Sequence, residues 1–475
     1  MPAVTDLDEA SRRIEIAMNR YFEQLIASIW NRLRQRGARA RNNGGGIGLG
    51  FRVVDGQVTR YSERLSTRRR TMHLAVIGKT GTGKSTFLRH LIQQDIEAGR
   101  GFLAFDLHGE LMPFLLRVMS SLERRHRQHL SDRLIIIDPA DPVVSVGLNP
   151  LEQTSPDFIR IAEFAEVLRH RWALDHFGAR TDELLRNALY VLSACRLTLL
   201  ELAPLLSNAA FRMSCLRQVE NAEVRGYFEM RYGQVSDAMR SAMSEPVLNK
   251  LSAFTSDPRF RHLLGQPTST FSLREAMDKG LWVIVNLNKG QLGEHALTLG
   301  SLIFTMLKNA IFSRQERTLF TAYCDELQNF VAFGSGIETV LSEARKFAVA
   351  IVSANQFLDQ FRPDMRAAIL SVGTHAFFQL SPSDAVQVAQ ALDGGKSLAE
   401  RLKNLPQRHA MVKSGADRTV EIRVPHVAEP RADYTDLLNR TRGLWGTSRV
   451  VIEREIADRQ KLSRKVNEVL DEHER

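Results

Sequence analysis

Residues 73 to 94, HLAVIGKTGTGKSTFLRHLIQQ, constrain the fold of this chain more than any other stretch. An apolar run of strand length meets a loop of glycine and threonine around one lysine, and a sequence with helical period follows. Gly78 to Ser85 fits G-x-x-x-x-G-K-[ST] in the strand-then-helix setting that gives the spacing its meaning. In that geometry the backbone amides of the turn point inward and, with the helix N-terminus, form an anion cradle suited to phosphate. Lys84 is then expected to span the β- and γ-phosphates of ATP, and Ser85 to give its hydroxyl to Mg2+. Gly78, Gly81 and Gly83 allow backbone angles or close approaches that side chains forbid. Lys79, Thr80, Thr82 and Thr86 complete the expected nucleotide-binding set.

From His73 onward, short apolar runs alternate with helical stretches. LAVIG, GFLAFD, RLIIID, LWVIVNL, LFTAYCDE, FAVAIVSA and HAFFQL have the composition of strands buried on both faces of a parallel sheet. The fold class is therefore α/β, a mainly parallel sheet flanked by helices. Residues 155–275 carry almost no strand signal and several helical ones, which predicts an all-α insertion between 71–154 and 276–425, the two halves of the core. FRVVDGQVTRYS, residues 51–62, predicts a hairpin around its Asp-Gly pair. It belongs to a basic N-terminal region, 1–70, whose residues 8–36 carry the three- and four-residue apolar spacing of an amphipathic helix. A charged tail, 426–475, is expected to close the chain.

Cleaving a nucleotide also needs an acid to hold the metal and a group to orient water. LFTAYCDELQNF ends an apolar strand in Asp325 and Glu326, where such ligands converge at the carboxyl end of a sheet. Asp325 is expected to hold Mg2+ and Glu326 to polarise the attacking water. Three further candidates follow from position. Asp106 closes GFLAFD and is either a water- or metal-positioning acid or a helix cap. Gln356, after FAVAIVSA, is a candidate γ-phosphate sensor or a loop glutamine. Arg345 in LSEARKF is a candidate arginine finger or a surface ion-pair partner.

The charge of +10 favours polyanionic partners. Residues 1–70 hold fourteen arginines and seven acids, and Arg32, Arg34, Arg36, Arg39 and Arg41 have no acid between them. Such a segment suits phosphate contacts or a solvated helix end. The three cysteines, Cys195, Cys215 and Cys324, show no metal-binding spacing, so neither zinc nor disulfides are expected. No window approaches the roughly 18 apolar residues needed to cross a bilayer, nor does the N-terminus carry a signal-type apolar region. A cytoplasmic location is expected.

The elements HLAVIGKTGTGKST, GFLAFDLHGEL, LIIIDPADPVVSVGLNPL, CDELQNF, LSEARKFAVAIVSANQFLDQF and LKNLPQRHAMV, in that order, resemble the HerA/FtsK superfamily of ATPases. Within it the chain is most similar to TraG/TraD-type conjugative coupling proteins and their soluble relatives with a TraM-recognition region. The resemblance spans about residues 65 to 425. It implies a RecA-like core, a ring of six copies, and DNA translocation driven by ATP hydrolysis, with Arg345 acting on a neighbour's γ-phosphate. Two departures stand out: there are no transmembrane helices of the membrane-bound coupling proteins, and the first 70 residues are too few for the archaeal HerA barrel. A motor that moves DNA, for conjugation, DNA processing or antiviral defence, is the first expectation. The alternative is an ATP-dependent scaffold that assembles and activates a partner such as a nuclease. A small-molecule kinase fits less well, because the acidic pair suits attack by water.

Overall fold

In this computed structural model, residues 46–152, 158–331 and 336–471 are described, the side chains of residues 175, 253 and 462–471 excepted. The helix expected over 8–36 and the arginines from Arg32 to Arg41 lie outside the described residues.

The strands are β1 (Ile47–Val54), β2 (Gln57–Leu65), β3 (Leu74–Ile77), β4 (Gly101–Asp106), β5 (Leu134–Ile137), β6 (Val144–Ser145) and β7 (Trp282–Asn286). They continue with β8 (Phe320–Asp325), β9 (Val349–Asn355), β10 (Thr374–Phe377), β11 (His409–Ser414), β12 (Val420–Arg423) and β13 (Thr447–Ser448). Eleven make one sheet in the order β2-β1-β12-β11-β10-β3-β9-β8-β4-β7-β5, while β6 pairs with β13 alone. From β10 to β5 every pairing is parallel. Those seven strands are the seven apolar runs of the sequence, and β4 and β9 are buried at every residue, as a sheet covered on both faces requires. The chain is thus α/β, with a mostly parallel central sheet.

From β10 outward to β2 the pairing turns antiparallel. The hairpin forms where the Asp-Gly pair predicts it, with Asp55 at φ 51° and Gly56 at φ 74°. Two consecutive positive φ values match the twist of a two-residue connection. The hairpin is not separate from the core: β1 pairs with β12 and extends the main sheet.

Between β6 and β7 the described residues form helices and no strand. Together with the long helix His295–Phe312 they bury one face of the sheet. Helices Lys84–Glu97 and Leu111–His126 bury the other. His295–Phe312 is long and apolar enough to cross a membrane by length and composition, which corrects the expectation that no window comes near this. Its apolarity has a packing cause, since 67% of it is buried inside the protein, where it helps cover one face of the sheet.

The charged C-terminal region packs down. Helix Arg449–Asp471 sets Ile452 and Ile456 against Leu200. Its Glu453 pairs with Arg261 and His262, and its Arg459 with Glu201.

A buried ionic cluster fastens the underside of the sheet. Asp95, wholly buried on helix Lys84–Glu97, accepts two bonds from Arg70, at 2.7 and 2.6 Å, and one from Tyr323 Oη at 2.7 Å. Arg100 Nη1 reaches the same carboxylate at 3.2 Å, and Arg70 Nη2 also donates to Thr321 Oγ1 at 2.8 Å. Burial works against the charge on Arg70, but Asp95 outweighs it and holds the guanidinium above its ordinary pKa. The cluster joins the helix after the phosphate loop to β8, the strand that carries Asp325 and Glu326.

Candidate nucleotide site

The phosphate loop runs from the end of β3 into helix Lys84–Glu97. Its shape is set by neighbours. Gly78 N–H donates to Asn355 O of β9, and Lys79 N–H to Gln379 O beyond β10. A Cβ at Gly78 would lie 2.5 Å from Phe378 Cβ, so only glycine fits there. Gly83 caps the helix at φ 111°, a conformation that L side chains rarely adopt, and a Cβ on it would meet Arg408 at 3.1 Å. Thr82 Oγ1 closes the turn on Lys79 O at 2.7 Å.

Lys84 is buried and donates to the loop carbonyls of Gly78 and Lys79. Burial pulls its ammonium below the ordinary pKa, while Asp325 and Glu326 support its charge. Ser85 is exposed at the start of the helix and Thr86 is half-buried. On the facing side, Asp325 ends β8 and its carboxyl is pushed up to about 6, by burial first and by Glu326 second, with Lys84 and His108 opposing. Two adjacent carboxylates beside a phosphate cradle are a donor set that fits a divalent cation.

Glu326 begins the turn Leu327–Asn329 in the left-handed conformation, φ 54° and ψ 50°. A non-glycine residue held there is strained, as is common where a side chain must be aimed. Its Oε1 accepts from Gln356 Nε2 at 2.9 Å, and its Oε2 from Asn329 Nδ2 at 2.7 Å. Gln356 Oε1 in turn accepts from Thr80 Oγ1 at 3.1 Å. One amide thereby bridges the acid to the phosphate loop.

The other two candidates sit differently. Asp106 is buried, and its oxygens accept the N–H groups of His108, Gly109 and Met112 at 3.2, 2.8 and 2.8 Å. It shapes the turn that leads into helix Leu111–His126. What it brings forward is His108, whose Nε2 lies 4.0 Å from Glu326 Oε1. Arg345 stands exposed in the turn Ala344–Phe347, just before β9. It lies near His73, at the start of β3, whereas the phosphate loop leaves the end of β3. His73 is buried, its Nδ1 accepts Ile351 N–H at 3.0 Å, and burial, aided by the Arg345 charge, pushes its imidazole down to about 4.

Sequence reasoning singled out neither His108 nor Asn329, nor the loop after helix Gly395–Lys403 that covers the phosphate loop. In that loop Arg408 N–H donates to Thr82 O at 2.8 Å and Gln407 Nε2 to Gly81 O at 3.0 Å. The available signal was that DLHGEL, DELQNF and LPQRHAMV keep polar residues next to strand ends.

Solved structures share this architecture. The unbound bacterial conjugative coupling protein TrwBdeltaN70 matches with a TM-score of 0.57 at 17% identity, over 82% of this chain and 99% of that one. The plasmid coupling protein TrwB in complex with ADP and Mg2+ matches at 0.58 and 18%, over 82% and 98%. TrwB with a non-hydrolysable ATP analogue matches at 0.55 and 17%, over 83% and 98%. Among curated protein sequences none matches. The profile of the HerA helicase central domain, however, matches residues 64–306, a little over half of the chain and the whole stretch from the end of the hairpin through the phosphate loop and the helical segment. This chain belongs to the HerA helicase central-domain family.

Proposed function

We propose that this chain is a ring-forming ATPase, of six copies, that hydrolyses ATP to move DNA. The observation that carries the proposal is the bridge Thr80–Gln356–Glu326, which joins the phosphate loop to the acid that activates water. Lys84 and the loop amides hold the β- and γ-phosphates, and Gln356 exchanges its contact with Thr80 for one with the γ-phosphate. Ser85 and Asp325 hold Mg2+, which, when bound, neutralises charge on the phosphate oxygens. Glu326 takes the proton of the attacking water.

Arg345 serves a neighbouring copy. It stands near the start of β3, about 13 Å of strand from its own phosphate loop. Among the described residues its side chain makes no hydrogen bond or ion pair, so the cation is available to another chain. The net charge of +10 suits a polyanionic track.

The test is ATP turnover with and without DNA, in wild-type protein and in mixtures of variants. Turnover should rise with DNA, and Lys84→Ala and Arg345→Ala should each be inactive alone. Mixed, they should regain part of the activity, because some pockets then pair an intact phosphate loop with an intact arginine. Turnover indifferent to DNA would remove the motor, and mixtures without any recovery would remove the shared pocket.

A further inference from the structure

The two amides that grip Glu326 answer to different parts of the molecule. Gln356 is tied to the phosphate loop through Thr80, so its hold reports on the nucleotide. Asn329 makes no such link. Its backbone carbonyl accepts instead from the Arg171 guanidinium, whose Nε also donates to Ser301 Oγ at 2.8 Å. Arg171 is the last residue of helix Phe158–Arg171, the first helix of the all-helical segment, and Ser301 lies on the core helix His295–Phe312. A salt bridge of 2.7 Å between Lys308 and Glu163 fastens the same two helices.

Glu326 and Asn329 lie within one short turn, closed by Asn329 N–H on Glu326 O at 2.9 Å. A guanidinium pulling on the carbonyl at the end of that turn therefore acts on the side-chain amide that holds the carboxylate. The geometry points to a brake: Asn329, set by Arg171, holds Glu326 away from its water until the helical segment shifts. Resting on the ATPase reading above, it makes Asn329 and Arg171 positioning residues, through which whatever binds the helical segment controls hydrolysis.

The bond chain is discrete and each link can be cut. Asn329→Ala should raise ATP turnover without DNA by about tenfold, the scale of one charge-assisted hydrogen bond, with KM for ATP unchanged. The further stimulation by DNA should shrink by the same factor. Arg171→Ala and Ser301→Ala should raise basal turnover less, and Arg171→Ala should add nothing on top of Asn329→Ala, as expected of residues acting in series. Loss of fold lowers turnover and the melting temperature together, so it cannot imitate a gain. If Arg171→Ala does not fold, Ser301→Ala and its double variant with Asn329→Ala carry the same comparison.

Unchanged or lower turnover in Asn329→Ala, or effects that add in full, would overturn the brake while leaving an ATPase in place. A wild-type enzyme that DNA does not stimulate would remove the motor reading, yet basal turnover would still decide the brake. A wild-type protein that hydrolyses no ATP would end both.

Discussion

Two polar networks flank β8, and they are built for opposite purposes. Below the sheet, Asp95 is wholly buried and takes bonds from Arg70, Arg100 and Tyr323, so every oxygen is engaged and water is shut out. Above the strand end, Glu326 is only half-buried and held by two single bonds from neutral amides. A buried carboxylate with charged partners cannot change them without exposing an uncompensated charge. A partly exposed one with neutral partners can trade each amide for water or a ligand at little cost. The same strand thus carries a fixed anchor at Thr321 and Tyr323 and an adjustable acid immediately beyond its end.

Removing the centre of the anchor should break the comparison most. Asp95→Ala leaves Arg70 and Arg100 buried without their anion and should cost about 3–5 kcal/mol of stability, read as a large fall in the denaturant midpoint. Tyr323→Phe removes one hydroxyl donor and should cost about 1–2 kcal/mol. Gln356→Ala, a change on the adjustable side, should leave stability within about 0.5 kcal/mol of wild type. Its turnover should nevertheless fall, since the γ-phosphate loses its sensor. A Gln356 variant as unstable as Asp95→Ala would show that the upper network is also an anchor.

What was legible in the sequence was what local pattern encodes. The seven parallel strands appear as apolar runs, the phosphate loop as a spaced glycine set, and the hairpin as Asp55-Gly56 between β-prone residues. What was illegible depends on partners distant in the chain. Arg70 ends a run of three arginines that suggests surface charge, yet it is buried on Asp95 twenty-five residues on. Nothing local marks Arg171 as the partner of Asn329, 158 positions away, or Gln407 as that of Gly81, 326 positions away. Asp106 shows the limit from the other side. An acid at a strand end suits metal positioning and helix capping equally, and the three N–H groups that face it are invisible in the sequence.

ATP cleavage in this site depends most on Glu326 as the group that activates water. The direct measurement is ATP affinity and phosphate release in Glu326→Gln, which keeps the size of the side chain and one acceptor oxygen for the two amides but cannot take a proton. Affinity should stay within about threefold of wild type while turnover falls by about 10²–10⁴, the usual contribution of a general base. A Glu326→Gln protein that binds ATP and hydrolyses it at the wild-type rate would contradict the account.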